Sequence, residues 1–302
     1  MIKKTINIEK PAYLSLKNQQ LVYSLSDKSL PDNEITITIE DIGIILLDNP
    51  QITITHALMQ ALLENNTAII TCSKNHLPAG LFMPLTGNTL QNERFTTQIK
   101  ASTPLKKQLW QQTIQAKITN QAAVLSKFRN KVFENMQKWA KDVKSGDSTN
   151  LEARAAAFYW KNIFTNVAAF TRDRDGDFPN NLLNYGYAIL RAIIARSLVA
   201  SGLLPTFGIH HKNRYNAYCL ADDIMEPYRP FVDNLVLEII ENQDNIIELT
   251  SEIKQKLLQI ANIDVLIDKQ KSPLMVAALQ TTASLSKCYD GEIRKIIYPE
   301  FL

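Results

Sequence analysis

Two of the chain's four histidines stand side by side, His210 and His211, in the stretch GIHHKNRYNAYCLADDIMEPYRP, residues 208–230. His56 and His76 lie far away. Asp222, Asp223 and Glu226 follow the pair, and Arg214 and Arg229 flank the acids. If ADDIMEPYRP is helical, Asp222 and Glu226 are i,i+4 and Asp223 and Glu226 are i,i+3, so either pair shares a face. Carboxylates that close repel unless a positive charge lies between them. The loop before them could fold an imidazole back over the acids. Imidazole and carboxylate donors with open positions suit Mg²⁺ or Mn²⁺, and the imidazole tilts the choice towards Mn²⁺. Cys72, Cys219 and Cys288 are isolated thiols and do not suggest structural zinc. The competing reading makes Asp222 and Asp223 helix caps and puts the histidines on a solvated loop. This stretch alone leaves both open.

Other residues are candidates with a plainer alternative. Glu152 opens LEARAAAFYWKNIF, where a first-turn acid also simply complements the helix dipole. The alanines after it make a narrow face that another element can approach closely. Tyr185, Tyr187, Arg191 and Arg196 share one helical segment and suit phosphate or base contacts, or a half-buried core. In FTRDRDGDFPNN, Asp173, Asp175 and Asp177 alternate as in a calcium loop. Phe178 stands where that loop needs glycine and Asn184 where it needs a bidentate Glu, so an EF-hand is excluded.

These residues need elements to position them. At 302 residues and 45% hydrophobic, the chain can bury one large core or two ordinary ones. The runs TINI, AYLSLK, QLVYSL, EITITI, IGIILL and TAIITC read as strands, and KNQQ as a hairpin turn. THALMQALLEN changes to helical spacing, with Thr55 as N-cap. Pro78, Gly80, Pro84 and Gly87 then cluster, marking a boundary. Residues 1–85 form a small β-rich domain, 86–102 a linker, and 103–302 a larger all-α domain that carries the chemistry. The overall class is α+β. Its helical segments include PLKKQLWQQTIQAKITNQAAVL, with Leu105, Leu109, Ile114 and Ile118 on one face. NLLNYGYAILRAIIARSLVASGL and ADDIMEPYRPFVDNLVLEII follow, with breaks at Gly146 and Gly202.

A net charge of +3 says little, but its distribution is uneven. Between Lys100 and Lys138 the basic residues include Lys106, Lys107, Lys117, Lys127, Arg129 and Lys131, and Glu134 is the only acid. Such a segment suits a polyanion, because Lys and Arg displace the counterions condensed on phosphates. The bland alternative is an exposed basic helix face. With no run of about 18 apolar residues, no membrane span is expected. The N-terminus lacks a signal peptide's apolar segment, and the cysteines form no framework, which points to a reduced, cytoplasmic protein.

Taken in order, Glu152 with its alanines, LLNYGYAILRA, GIHH and LADDIMEPYRP resemble the CRISPR-associated spacer-acquisition integrase family. The EPYRP ending resembles its type II branch. IEDIGIILLDNPQITITHALMQALLENNTAII is also similar, so the likeness covers nearly the whole chain. The resemblance implies a β-rich domain that makes a homodimer and a helical domain that holds Mg²⁺ or Mn²⁺. By motif position the ligands fall on Glu152, His211 and Glu226, with Asp223 as a further functional carboxylate. His210 is the less suited histidine, because the family's His ends a G-x-x-H motif, here Gly208 to His211. It implies an enzyme that inserts a spacer precursor duplex at a CRISPR repeat through attack of DNA 3′-hydroxyls on phosphodiesters. His210, Arg214, Arg229 and Arg191 are candidates for DNA contact, and Lys106, Lys107, Lys117 and Arg129 would track the backbone. Implied partners are DNA, the small second CRISPR adaptation protein and, in type II systems, the RNA-guided effector nuclease. The chain departs from the family at Ala153, often Gly, and at Ala157, often Arg; Arg154 is the spatial substitute considered. Two alternatives stand beside this one: a metal-dependent endonuclease of branched or single-stranded DNA, and a DNA-binding scaffold without catalysis.

Overall fold

The computed structural model describes residues 3–25, 34–165, 167, 170–173, 176–242 and 248–302. The chain divides into two units, Met1–Gly87 and Asn88–Leu302.

In the first unit the short β-branched runs form strands: β1 (Lys4–Ile8), β2 (Ala12–Lys17), β3 (Gln20–Leu25), β4 (Ile35–Thr38), β5 (Ile42–Leu47) and β6 (Ile52–Ile54). Helix α1 (His56–Glu64) follows, then β7 (Ala68–Cys72) and β8 (Pro78–Phe82). They make two four-stranded sheets, ordered β1-β5-β7-β8 and β4-β3-β2-β6. β5 pairs in parallel with β1 and β7 and is buried from Ile42 to Leu46, as a parallel strand covered on both faces should be. The β2–β3 hairpin turns through Asn18 (φ 52°) and Gln19 (φ 59°), the left-handed pair whose twist suits a two-residue hairpin. The Thr55 side chain accepts from the Leu58 amide, capping α1. Leu14, Leu21, Ile42, Ile45, Leu58, Leu62 and Ile69 close the core. Two strands go beyond the pattern. β6 is only three residues long. β8 runs through the breaker-rich stretch, because Gly80 lies so close to β7 that a Cβ there would sit 2.6 Å from Thr71 Oγ1.

The second unit begins earlier than expected. Residues 91–100, placed in a linker after the Pro- and Gly-rich stretch, form helix α2 (Gln91–Lys100). The helix is anchored by polar contacts, which hydrophobic periodicity cannot reveal. Gln98 is buried and donates to the carbonyls of Leu204 and Phe207, and Arg94 donates to the Ser201 carbonyl. The boundary therefore lies after Gly87.

Helix α3 (Thr103–Arg129) starts where the sequence signals it, with Ser102 accepting from the Leu105 amide and Pro104 in the first turn. Asn130 ends it in the left-handed conformation. α3 packs against α4 (Glu134–Asp142), α5 (Leu151–Ile163), a 3₁₀ turn at Glu226–Tyr228 and α8 (Arg229–Glu241). The other layer centres on α6 (Asn180–Ala200), which contacts α7 (Cys219–Met225), α8, α9 (Ser251–Leu258) and α10 (Leu274–Tyr289). Among the described residues α6 alone is long and apolar enough to cross a membrane, and most of its apolar window is buried inside the unit. Helices dominate, with one addition to the expected pattern: β9 (Asp264–Ile267) and β10 (Gln270–Pro273) form a hairpin. Glu300, near the chain's end, pairs with Leu266 beside it.

Candidate active site

Each functional side chain has a local reason to be where it is. Glu152 lies in the first turn of α5. Asn150, before the helix, gives no side-chain cap. Asp147 does that work instead, accepting from the amides of Leu151 and Glu152, both at 2.9 Å. Glu226 starts the 3₁₀ turn that leaves α7. Buried Asn120 of α3 holds that turn by donating to the Pro227 carbonyl at 2.8 Å, and also to the Pro299 carbonyl at 3.0 Å.

The two glutamates meet at a lysine. The Nζ of Lys117 on α3 lies 2.7 Å from Glu152 Oε1 and 2.6 Å from Glu226 Oε2. The other oxygen of Glu226 accepts from Arg229 Nε at 2.7 Å. The Arg229 guanidinium lies 4.7 Å over the Tyr187 ring. The hydroxyls of Tyr187 and Tyr159 donate to the buried Asp233. A continuous polar chain thus runs from Asp233 through Tyr187, Arg229, Glu226 and Lys117 to Glu152. Burial opposes the charge on Glu226, but Arg229 and Lys117 outweigh it and pull the pKa down to about 2. Burial likewise opposes the charge on Lys117, and Glu226 and Glu152 overcome it, leaving its pKa above the ordinary value. For Asp233 burial prevails and raises the pKa to about 6, against the bonds from the two tyrosines and the charges of Arg229 and Arg172.

The histidines sit on the loop before α7. His211 Nδ1 donates to Asp223, which also accepts from the amides of His210 at 2.9 Å and His211 at 3.3 Å. Asp223 is fully buried and both its oxygens are engaged, so it orients His211 and, by holding the Nδ1 proton, leaves the ring's lone pair on Nε2. The Asp223 hydrogen bond raises the His211 pKa; burial opposes it, and the charges of Asp223, Glu226 and Glu152 add to it. Gly208 is needed here, because a Cβ would meet the His211 carbonyl oxygen at 2.4 Å and Asp223 Oδ2 at 2.8 Å. The His210 ring stacks on Trp110 of α3 at 4.2 Å, and His211 stands edge-on to the same indole at 5.6 Å. Neither aspartate caps α7, which starts at Cys219.

Glu152, Glu226, His211 and Asp223 are therefore gathered in one region of one unit. Among the described residues, no three acid, His or Cys side chains converge closely enough to hold an ion as they stand. Lys117 Nζ stands in contact with both glutamates. The donor chemistry fits a divalent ion, with two carboxylates already drawn to one positive charge and an imidazole beside them fixed from behind.

The basic residues sort differently from the sequence pattern. Lys117 does not track a ligand on the surface; it is buried within the site. Arg129 donates to the carbonyls of Asn162 and Ile163, closing the end of α5. Arg191 pairs with Asp222 at 2.7 Å, and Arg229 with Glu226. These four are committed internally, because each found an acid or an orphan carbonyl within its unit. Lys106, Lys107, His210 and Arg214 reach solvent, with Arg214 lying 4.6 Å over the Tyr215 ring. Arg154 lies 4.8 Å over the Trp139 ring. In the would-be calcium loop, Arg172 donates to Asn180 and Asn184; Asp175 lies outside the described residues. Sequence reasoning missed the roles of Lys117, Asp147 and Asn120. For Lys117 a signal existed: it lies on the buried stripe of α3, between Ile114 and Gln121.

Residues 6–260 match the family model described as CRISPR associated protein Cas1. The chain is 34% identical over 304 residues to the CRISPR-associated endonuclease Cas1 of Neisseria meningitidis serogroup C, spanning all of this chain and 97% of the relative. The fold is similar to that of a casposase bound to integration product, with TM-score 0.78 and 19% identity over 98% of this chain and 92% of that one. It is also similar to part of a chain in a Cas6-RT-Cas1–Cas2 complex, with TM-score 0.72 and 20% identity over 97% of this chain and 36% of that one.

Proposed function

The chain belongs to the CRISPR-associated Cas1 family, and from that premise we propose that it is a metal-dependent DNA integrase that inserts spacer precursors into a CRISPR array. The observation that carries this is the convergence of Glu152 and Glu226 on one cation position, with His211 fixed beside it by Asp223. A second support is the likeness of fold to a casposase whose structure was determined with integration product.

The reaction is an in-line displacement. The 3′-hydroxyl oxygen of the incoming duplex forms a bond to phosphorus, and the target strand's bond from phosphorus to its own 3′-oxygen breaks. The proton lost by the attacking hydroxyl balances the one taken up by the leaving oxygen. Glu152, Glu226 and His211 Nε2 would hold Mg²⁺ or Mn²⁺, which when bound supplies Lewis-acid polarisation of the phosphoryl group and acidifies the attacking hydroxyl. Asp223 keeps the Nδ1 proton in place, so His211 presents a lone pair on Nε2. Arg229 holds Glu226 from behind. Lys106, Lys107, Arg214 and His210 are the solvent-facing groups suited to DNA phosphates. The Cas2-containing complex among the structural neighbours supports a small adaptation partner; the homodimer is part of the proposal.

The test is strand transfer from a labelled duplex with free 3′-hydroxyls into a supercoiled plasmid carrying a repeat, with the partner protein present. Metal-dependent joining that disappears with EDTA and in Glu152→Ala is expected. Cleavage without joining favours the second reading, a metal-dependent endonuclease using water at the same site, which the name of the Neisseria relative favours.

A further inference from the structure

We infer that Lys117 is the resident cation of the metal site: its ammonium holds Glu152 and Glu226 together in the metal-free protein, and a divalent ion enters by displacing it. This rests on the metal-dependent reading above and adds a residue that reading does not contain.

The argument is geometric. Lys117 Nζ contacts one oxygen of each glutamate, at 2.7 and 2.6 Å. Ligand oxygens stand about 2.0–2.6 Å from a bound Mg²⁺ or Ca²⁺. The ammonium therefore occupies the space an ion would need, and the two cannot share it. Its charge also explains how two acids from separate elements come to share one contact, an arrangement that otherwise repels. Leaving is feasible for two reasons. Lys117 is a point charge on a flexible four-carbon stem. Glu226 keeps Arg229 on its other oxygen, and Asp147 still holds the first turn of α5 by accepting from the Glu152 amide, so the backbone that carries Glu152 stays in place when the ammonium moves and the Glu152 carboxylate is freed for the ion. The chain thus carries a preformed anionic cradle with an internal competitor. Such a competitor weakens adventitious metal binding and leaves a displaced cation close to wherever a phosphate arrives.

The test measures metal rather than turnover. Mn²⁺ binding to the DNA-free full chain is followed by the EPR signal of free Mn²⁺, for wild type, His211→Ala and Lys117→Met. Wild type should bind and His211→Ala should bind more weakly. Lys117→Met should bind about tenfold tighter, which is about 1.4 kcal/mol. A folded Lys117→Met with unchanged or weaker affinity overturns the proposal. Should that variant fail to fold, amine acetylation of wild type read by mass spectrometry decides instead. Lys117 should be protected without metal and gain reactivity with saturating Mn²⁺, with Lys106 as the internal reference. No gain overturns the proposal. If wild type shows no Mn²⁺ binding sensitive to His211→Ala, the metal reading itself fails, and Lys117's displacement with it.

Discussion

Asp223 shows how one buried side chain can fix the position of another. Its carboxylate is fully buried and accepts from His211 Nδ1 and from the amides of His210 and His211. Asp223→Asn keeps the volume but removes the charge, and its amide nitrogen cannot accept from a backbone amide. Outer partners of metal-binding histidines are worth about 10–100-fold in affinity. Mn²⁺ binding should therefore fall by about that factor in Asp223→Asn while circular dichroism stays unchanged. Normal affinity in the folded variant would remove Asp223 from the positioning role. Asp233 makes a second case, visible in stability. Its folded pKa, raised by burial to about 6, lies above the ordinary value of 3.8. Between these values the folded state binds the proton that the unfolded state has lost, so this group's contribution falls as pH rises from about 4 to about 6. Glu226 runs the other way: its stabilisation is present above the unfolded pKa and is lost as pH falls towards about 2. Urea denaturation of Asp233→Asn should show less loss of stability than wild type between pH 4 and 6. An identical slope in both would refute the shift. Residue types and spacing made the histidines and acids candidates, and the family resemblance selected Glu152, His211 and Glu226 among them. Residue type did not distinguish Lys117 from its basic neighbours; its place on the buried stripe of α3, between Ile114 and Gln121, was the signal that could have.

Elements whose start and stop signals are local were legible. Thr55 with α1, and Ser102 with Pro104 at α3, declare themselves because the cap bonds its own first turn. Elements that exist through distant partners were not. α2 is polar and held by Gln98 and Arg94, β8 depends on Gly80 meeting Thr71, and the β9–β10 hairpin sits among helices. The site shares this dependence, since its acids come from α5 and from the turn after α7 while the lysine comes from α3. Asn120 joins two of those parts, one turn beyond Lys117, through its bonds to the Pro227 and Pro299 carbonyls. Asn120→Ala leaves both carbonyls buried without that donor, a loss of about 1–3 kcal/mol. The urea midpoint should drop accordingly with the denaturant slope unchanged. A drop no larger than that of an exposed substitution such as Gln108→Ala would show that the clamp contributes nothing.

At the scale of the whole molecule, the division into a strand-rich unit and a larger helical one was readable from the change of period, although the boundary moved to Gly87. The charge pattern was harder to read. The basic segment looked like one track for a polyanion, yet within it Lys117 faces the acids and Arg129 closes α5, while Lys106 and Lys107 face outward. A linear count cannot separate these roles, because a 27-residue helix presents every face in turn. The two kinds of basic residue should separate in salt. Each phosphate neutralised on duplex DNA contributes about 0.9 to the slope of log affinity against log salt. Combined Lys106→Ala and Lys107→Ala substitution should reduce that slope by up to about 1.8, measured by fluorescence anisotropy of a labelled duplex across a sodium chloride series. Arg129→Ala should leave the slope unchanged and lower the thermal midpoint instead, since it removes two hydrogen bonds to the end of α5 and no phosphate contact. The reverse pattern, with Arg129 changing the slope and the paired lysines leaving it alone, would place the DNA path on another face of α3.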